Sequence, residues 1–459
     1  MRNSSRKLLV LAATVSMTAA ACGSDSNDAT TDETPVVTEA IEEEAPVVTD
    51  AMEEEAPVET DAMEEDAMEE EAPVETDAME DAPEADAAAF AVDDGASTLR
   101  AGLTSLLQEH VYLTGIVVET AVDAGGDLEG EEVQAAIAAL DENTVALADA
   151  VGSVAGPENG DAFLELWRQH IGFFVDYTLG EATGNEEMKT QALTDLEGYQ
   201  QAAGAFFEEI TGGAIVADTL VGGLEGHVET LTAAIDAMVA DSPEQFALLG
   251  AAADHMKGAA MLLSTGIVEA LPEMFPGETD SGPAETRTAL TFQLQEHVYL
   301  AGIALEQAVD NGGDLENPVV AAAVAELDVN TVELSEIVGS VAGEENGAAF
   351  LELWRNHIGF FVDYTLGEAT GNEEMKTQAL SDLEGYQQAA GAFFEEITGG
   401  EIVAADLIAG LEVHVETLTL AIDDMVAGNT AAFTDLRKAG QHMPKAALLL
   451  ATGIVAATS

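Results

Sequence analysis

A single cysteine in 459 residues leaves nothing for an intramolecular disulfide to pair with. A disulfide-stapled fold is therefore excluded, as is any cysteine-based zinc cluster. Basic residues are also scarce: 13 Lys and Arg stand against 88 Asp and Glu, a formal net charge of −75. Such a surface repels nucleic-acid phosphates and anionic headgroups, so nucleic acid is not an expected partner. Cations concentrate around it instead. Beyond an N-terminal apolar run, no stretch approaches the roughly 20 uninterrupted apolar residues of a membrane span. Strand-like alternation of polar and apolar residues is nearly missing too.

What is present begins with a leader. Arg2, Arg6 and Lys7 form a positive start, Leu8 to Val15 a short apolar segment, and Ala19, Ala20 and Ala21 place small residues before Cys22. This is signal-peptide anatomy over residues 1–21. The cysteine that follows resembles the lipobox of bacterial lipoproteins, although Ala19 stands where that pattern usually has leucine. The resemblance implies acylation of the Cys22 thiol, with the protein exported and lipid-anchored to the outer face of the cell membrane. Residues 22–96 then form an acidic tether with a near-repeat, Glu53 to Met63 recurring from Glu69 to Met79. Single-sign sequence of low hydrophobicity cannot bury enough surface to offset ordering entropy, so disorder is expected there.

The rest of the chain is one text written twice. Phe163 to Gly213 recurs as Phe350 to Gly400 with only Gln169/Asn356 and Thr194/Ser381 exchanged, and Gln108-Glu109-His110-Val111-Tyr112-Leu113 recurs from Gln295 to Leu300. The offset is a constant 187 residues, since 297 − 110 and 350 − 163 agree. Two domains follow, residues 97–272 and 286–459, joined by a Pro- and Gly-containing linker over 273–285.

Within each copy the apolar residues keep a helical period. In the first, Leu103, Leu106, His110, Leu113 and Val117 share a face, and Phe163, Trp167, His170, Phe174 and Tyr177 share another. Leu193, Leu196, Tyr199, Ala203, Phe206 and Ile210 make a further stripe. Breaks are signalled at Ala124-Gly125-Gly126, Gly156-Pro157, Gly184-Asn185, Gly212-Gly213 and Asp241-Ser242-Pro243. The expected fold is all-α: two tandem up-and-down bundles of about six helices each, after the tether.

The run Phe-Leu-Glu-Leu-Trp-Arg-x-His-Ile-Gly-Phe-Phe-Val-Asp-Tyr-Thr, preceded by Glu-His-x-x-Leu and followed by Leu-Glu-Gly-Tyr, is similar to a helical domain of exported Gram-positive proteins. Some of those proteins also carry a module like the N-terminal domain of copper amine oxidases, which has no counterpart here. The resemblance implies export and a helical fold, and assigns no chemistry.

All eight histidines fall in the repeats as matched pairs: His110/His297, His170/His357, His227/His414 and His255/His442. Each has apolar neighbours one helical turn away, so each imidazole is expected in a core, where its nitrogens need partners. Four imidazoles converging from separate helices would hold zinc, copper or iron. The other solution is that each ring hydrogen-bonds a neighbour such as Asn143 or Tyr199, or a backbone carbonyl. Enzyme patterns fail on spacing. Glu-x-x-His is absent, with Leu107, Trp167, Leu224 and Ala252 three residues before the histidines. His-x-x-x-Glu fails likewise, and there is no His-Glu-x-x-His, nucleophile elbow or phosphate loop. A non-enzyme is expected: a cell-envelope lipoprotein whose bundles bind a metal ion or small ligand through core histidines. The alternative is a surface display, interaction or spacer protein, contacting wall polymer or another surface protein, with purely structural histidines.

Overall fold

The computed structural model describes residues 91–459, so the leader, Cys22 and the tether as far as residue 90 lie outside the described residues. Among the described residues there are twelve α-helices and no strand. The first copy contains α1 Gly95–Asp123, α2 Glu131–Ala155, α3 Pro157–Thr183, α4 Glu186–Ile210, α5 Ala217–Val239 and α6 Gln245–Ala270. The second contains α7 Gly282–Asp310, α8 Pro318–Ala342, α9 Glu344–Thr370, α10 Glu373–Ile397, α11 Ala404–Ala427 and α12 Ala431–Thr458. Successive helices pack side by side in an up-and-down order, and α6 returns onto α1 as α12 returns onto α7.

Local chemistry explains the boundaries. Every break signalled in the first copy lies at a helix end. Gly184 closes α3 and Gly371 closes α9, with φ of 66° and 64°, a left-handed turn that costs a side-chain-bearing residue energy. The next residues, Asn185 and Asn372, start α4 and α10 by accepting from the backbone N–H of Met188 and Met375 at 3.2 Å. Gly156 and Gly343, with φ of 94° and 97°, make the corner from α2 to α3 and from α8 to α9.

Burial follows the expected stripes with one shift. In α4 the covered face is Ala192, Leu196, Tyr199, Ala203 and Phe207, leaving Leu193 41% exposed. Helices α1 and α7 depart further: from Leu103 to Val118 and from Leu290 to Leu305 they are buried almost all round. One side packs into its own bundle while the other packs against its counterpart in the second copy. A helix enclosed on both sides has no solvent face to reserve for polar residues.

The two copies accordingly form one compact unit. Tyr112 and Tyr299 stack across the contact, ring centroids 5.5 Å apart and planes 6° off parallel. Tyr112 Oη donates to Glu296 Oε1 at 2.7 Å and Tyr299 Oη donates to Glu109 Oε1 at 3.0 Å. The contact is thus reciprocal, as in an isologous dimer written in one chain. Asn143 Nδ2 donates to Glu109 Oε2 at 2.8 Å, and Asn330 Nδ2 to Glu296 Oε2 at 2.9 Å. The linker is docked as well: Arg100 Nη1 donates to the Thr279 carbonyl at 2.6 Å, and the Ala96 N–H donates to the Pro276 carbonyl at 3.0 Å. Helix α7 begins at Gly282, within the expected linker, because Ser281 caps it.

Candidate metal centres

Three helices of each bundle deliver a histidine to one point. His110 comes from α1, His170 from α3 and His227 from α5, and one ring nitrogen of each lies within 4.8 Å of the other two. His297 from α7, His357 from α9 and His414 from α11 repeat the arrangement. The two constellations superimpose in their spacing: ring centroids of His110 and His227 are 6.2 Å apart, as are those of His297 and His414. In the second bundle His357 Nε2 lies 3.3 Å from His297 Nε2. Two nitrogens bonded at about 2.0–2.1 Å to one tetrahedral ion stand roughly 3.3–3.4 Å apart, so this spacing suits a shared ligand.

The backbone fixes one tautomer in each triad. His170 Nδ1 lies 2.6 Å from the Trp167 carbonyl, and His357 Nδ1 lies 2.6 Å from the Trp354 carbonyl. A carbonyl only accepts, so Nδ1 carries the hydrogen and Nε2 presents its lone pair to the triad. A backbone acceptor behind a ligating imidazole fixes ring orientation and raises basicity. Tyr199 and Tyr386 stack on the same rings at 4.6 Å and restrict them further.

Burial governs the charge state. Desolvation, then the neighbouring imidazoles, hold His110 and His297 well below the usual histidine range. The same causes push His170 and His357 down to about 3, and His227 and His414 to about 4. All six rings are neutral at pH 7, the form that coordinates metal. Several of their nitrogens have no partner: His110 Nδ1 and Nε2, His170 Nε2, His227 Nδ1, His297 Nδ1 and His414 Nδ1. A buried polar atom left so costs about 1–3 kcal/mol. A cation on the lone pairs would relieve much of this, so the donor set fits a metal.

The expected quartet is a triad. His255 and His442 stand apart, half-buried, with Nε2 at 2.8 Å from the Gly223 carbonyl and 3.0 Å from the Gly410 carbonyl. They are satisfied by backbone, tying α6 to α5 and α12 to α11. Asp176, off the stripe of α3, is exposed. Arg168 and Arg355 pair with Asp141 and Asp328 at the surface.

The sequence reading passed over Glu109 and Glu296, each one residue before a triad histidine. Glu109 also forms an ion pair with Arg437 of α12 at 3.1 Å. The residue equivalent to Arg437 in the first copy is Gly250, so Glu296 has no such partner, and burial pushes its carboxyl up to about 7. The signal available was an acid inside an apolar run, Glu109 beside His110 and Val111. No family model, curated protein or solved structure matches the chain.

Proposed function

We propose that this chain is a metal-binding protein of the cell envelope, each bundle holding one zinc, copper or iron ion on three imidazoles. The carrying observation is the pair of buried, neutral triads, several of whose nitrogens lack partners. Imidazole suits those three metals, and a three-histidine set leaves a further position open to water or another ligand. The strongly negative chain raises the local concentration of cations around the sites. Export through residues 1–21 and lipidation at Cys22 belong to the same proposal. They are supported by the basic-apolar-small order of the leader and by the position of the sole cysteine.

Elemental analysis of the full chain, purified without chelator, tests the metal. Two equivalents per chain are expected. Stripping with a chelator lowers the melting temperature and zinc restores it, since a ligand at a hundredfold its Kd stabilises by about 2.7 kcal/mol. A protein that carries no metal and shows no thermal response to zinc, copper(II) or iron(II) would refute the reading. Mass spectrometry of detergent-extracted protein tests the anchor, and an unmodified N-terminus would end that part.

A further inference from the structure

The two triads match, but the spaces beside them do not. In the first bundle the triad forms part of the wall of a cavity of about 340 Å³, whose other walls include Leu103, Val151, Phe163, Phe207 and Ile267. No lysine, arginine, aspartate or glutamate lines it. In the second bundle a hollow bounded by Val338, Phe394 and Ile454 measures about 70 Å³, and no histidine lines it. Only three of the first cavity's lining positions change between copies: Leu99, Ala150 and Gly258 become Thr286, Ile337 and Lys445. Gly258 is exposed, with open space where a Cβ would stand, so it lies at the mouth. In the second copy a lysine occupies that place, and Ile337 adds three carbons where Ala150 has none.

A second observation says what the cavity lacks. The indole Nε1–H of Trp167, on the cavity wall beside His110 and His170, is buried and has no acceptor. Trp354 Nε1 is equally without an acceptor in the second bundle, so the donor does not by itself separate the two copies; beside a mostly apolar cavity it offers a partner to one oxygen. No cationic side chain lines the wall and the chain is strongly negative, which disfavours an anion everywhere except on an ion held by the triad itself. A cavity of 150 Å³ holds benzene, so the space here takes roughly a dozen non-hydrogen atoms.

We propose that the first bundle binds a small neutral apolar molecule carrying one terminal oxygen, of the class of a medium-chain alcohol or ketone. The oxygen accepts from Trp167 and, resting here on the metal reading, takes the open position of the first triad's ion. The apolar tail fills the space toward Gly258. The second bundle, with Thr286, Ile337 and Lys445 at the three changed positions, holds its ion without an exchangeable organic ligand.

The chain has two tryptophans, one per bundle, so Trp354→Phe leaves Trp167 as the sole reporter. Titrating this full-length variant, zinc-loaded, with 1-decanol should shift Trp167 emission and saturate at one equivalent. Decane, which fills the space without an oxygen, should bind at least tenfold more weakly. Writing the second copy's residues into the first, Leu99→Thr, Ala150→Ile and Gly258→Lys together, should weaken decanol binding at least tenfold while bound zinc stays at two per chain. These residues already sit in a folded copy of the same bundle, so loss of folding is not the expected outcome. Trp167 emission that ignores decanol, or a triple variant that titrates like its parent, overturns the proposal, and decane binding as tightly as decanol removes the oxygen contact from it. Decanol binding without any bound zinc would sink the metal reading and leave the cavity; two zinc ions with no decanol response would do the reverse.

Discussion

The first and second bundles are nearly the same text, yet they diverge in two places and agree in a third. They agree in the triads, where the backbone acceptor behind each ring and the tyrosine stacked on it recur at the same distances. They diverge at the cavity mouth, and at the contact between copies, where Arg437 reaches Glu109 while its counterpart position holds Gly250. The agreement shows that the His170 and His357 rings are held by one repeated unit, α3 with α4 and α9 with α10. The divergence shows that each copy's surroundings can be retuned without disturbing that unit.

The sharpest way to break the symmetry is to remove one triad at a time. His170→Ala and His357→Ala should each lower bound zinc from two to one per chain. Affinity at the altered site should fall more than a hundredfold and the other should change less than threefold, read by competition with a chromophoric chelator. If either substitution emptied both sites, the bundles would not be independent binding units.

A smaller effect is expected at the contact between copies. Glu109→Gln removes the buried partner of Arg437, which keeps only the half-exposed Glu142 at 2.7 Å, and should destabilise the chain by about 2–3 kcal/mol in denaturant titrations. Glu296→Gln should cost less, about 1–2 kcal/mol, because no arginine is left behind and the loss is one of the two acceptor contacts to Tyr112 and Asn330. Equal costs would show that Arg437 contributes nothing to the asymmetry.

The smallest effect concerns the far end of α1 and α7. Burial first, then Asp123, push the Glu119 carboxyl up to about 7, with Asp310 and Asp241 adding to the shift and a hydrogen bond from Gln307 opposing it. Its counterpart Glu306 is raised well above the carboxylate range by burial and by Glu119, Asp310, Asp123 and Glu132. A raised carboxyl stabilises the fold fully below its unfolded value near 4.5, and that contribution disappears as pH rises through about 7. Glu119→Gln should therefore raise the melting temperature by a few degrees at pH 8 relative to the parent, and leave it unchanged at pH 5. The buried imidazoles run the other way: their lowered pKa values stabilise the metal-free fold above pH 6.5 and destabilise it as pH falls toward 4. A Glu119→Gln protein that melted like its parent at both pH values would show that this carboxyl is not desolvated.

Much of the fold was legible because the relevant chemistry is local. Gly184, Asn185, Gly156 and Pro157 each perform a task within one turn of chain, so the helix ends could be read directly. The triads were legible in three of four members, since an imidazole on an apolar stripe must face a core. His255 misled because its stripe on α6 gives the side of the helix but not the reach of the ring, and a carbonyl of α5 lies nearer than the triad. The contact between copies escaped altogether. Thr104, Gln108 and Tyr112 form a mixed polar-aromatic face on α1, which resembles a solvated surface until a second helix covers it. The cavities differ at three lining side chains, and α12 carries Pro444 where α6 has Lys257, differences whose importance appears only when the helices are assembled.

One adjacency carries a mechanical consequence. Glu109 and His110 are consecutive, about 100° apart around α1, so the same helix grips the opposite copy with one side chain and its own triad with the next. Glu296 and His297 do likewise on α7. Each rod therefore carries seam and triad on adjacent faces, so prying the two copies apart would strip cover from the helices that hold the histidines, and the doubled chain is one body rather than two beads on a string.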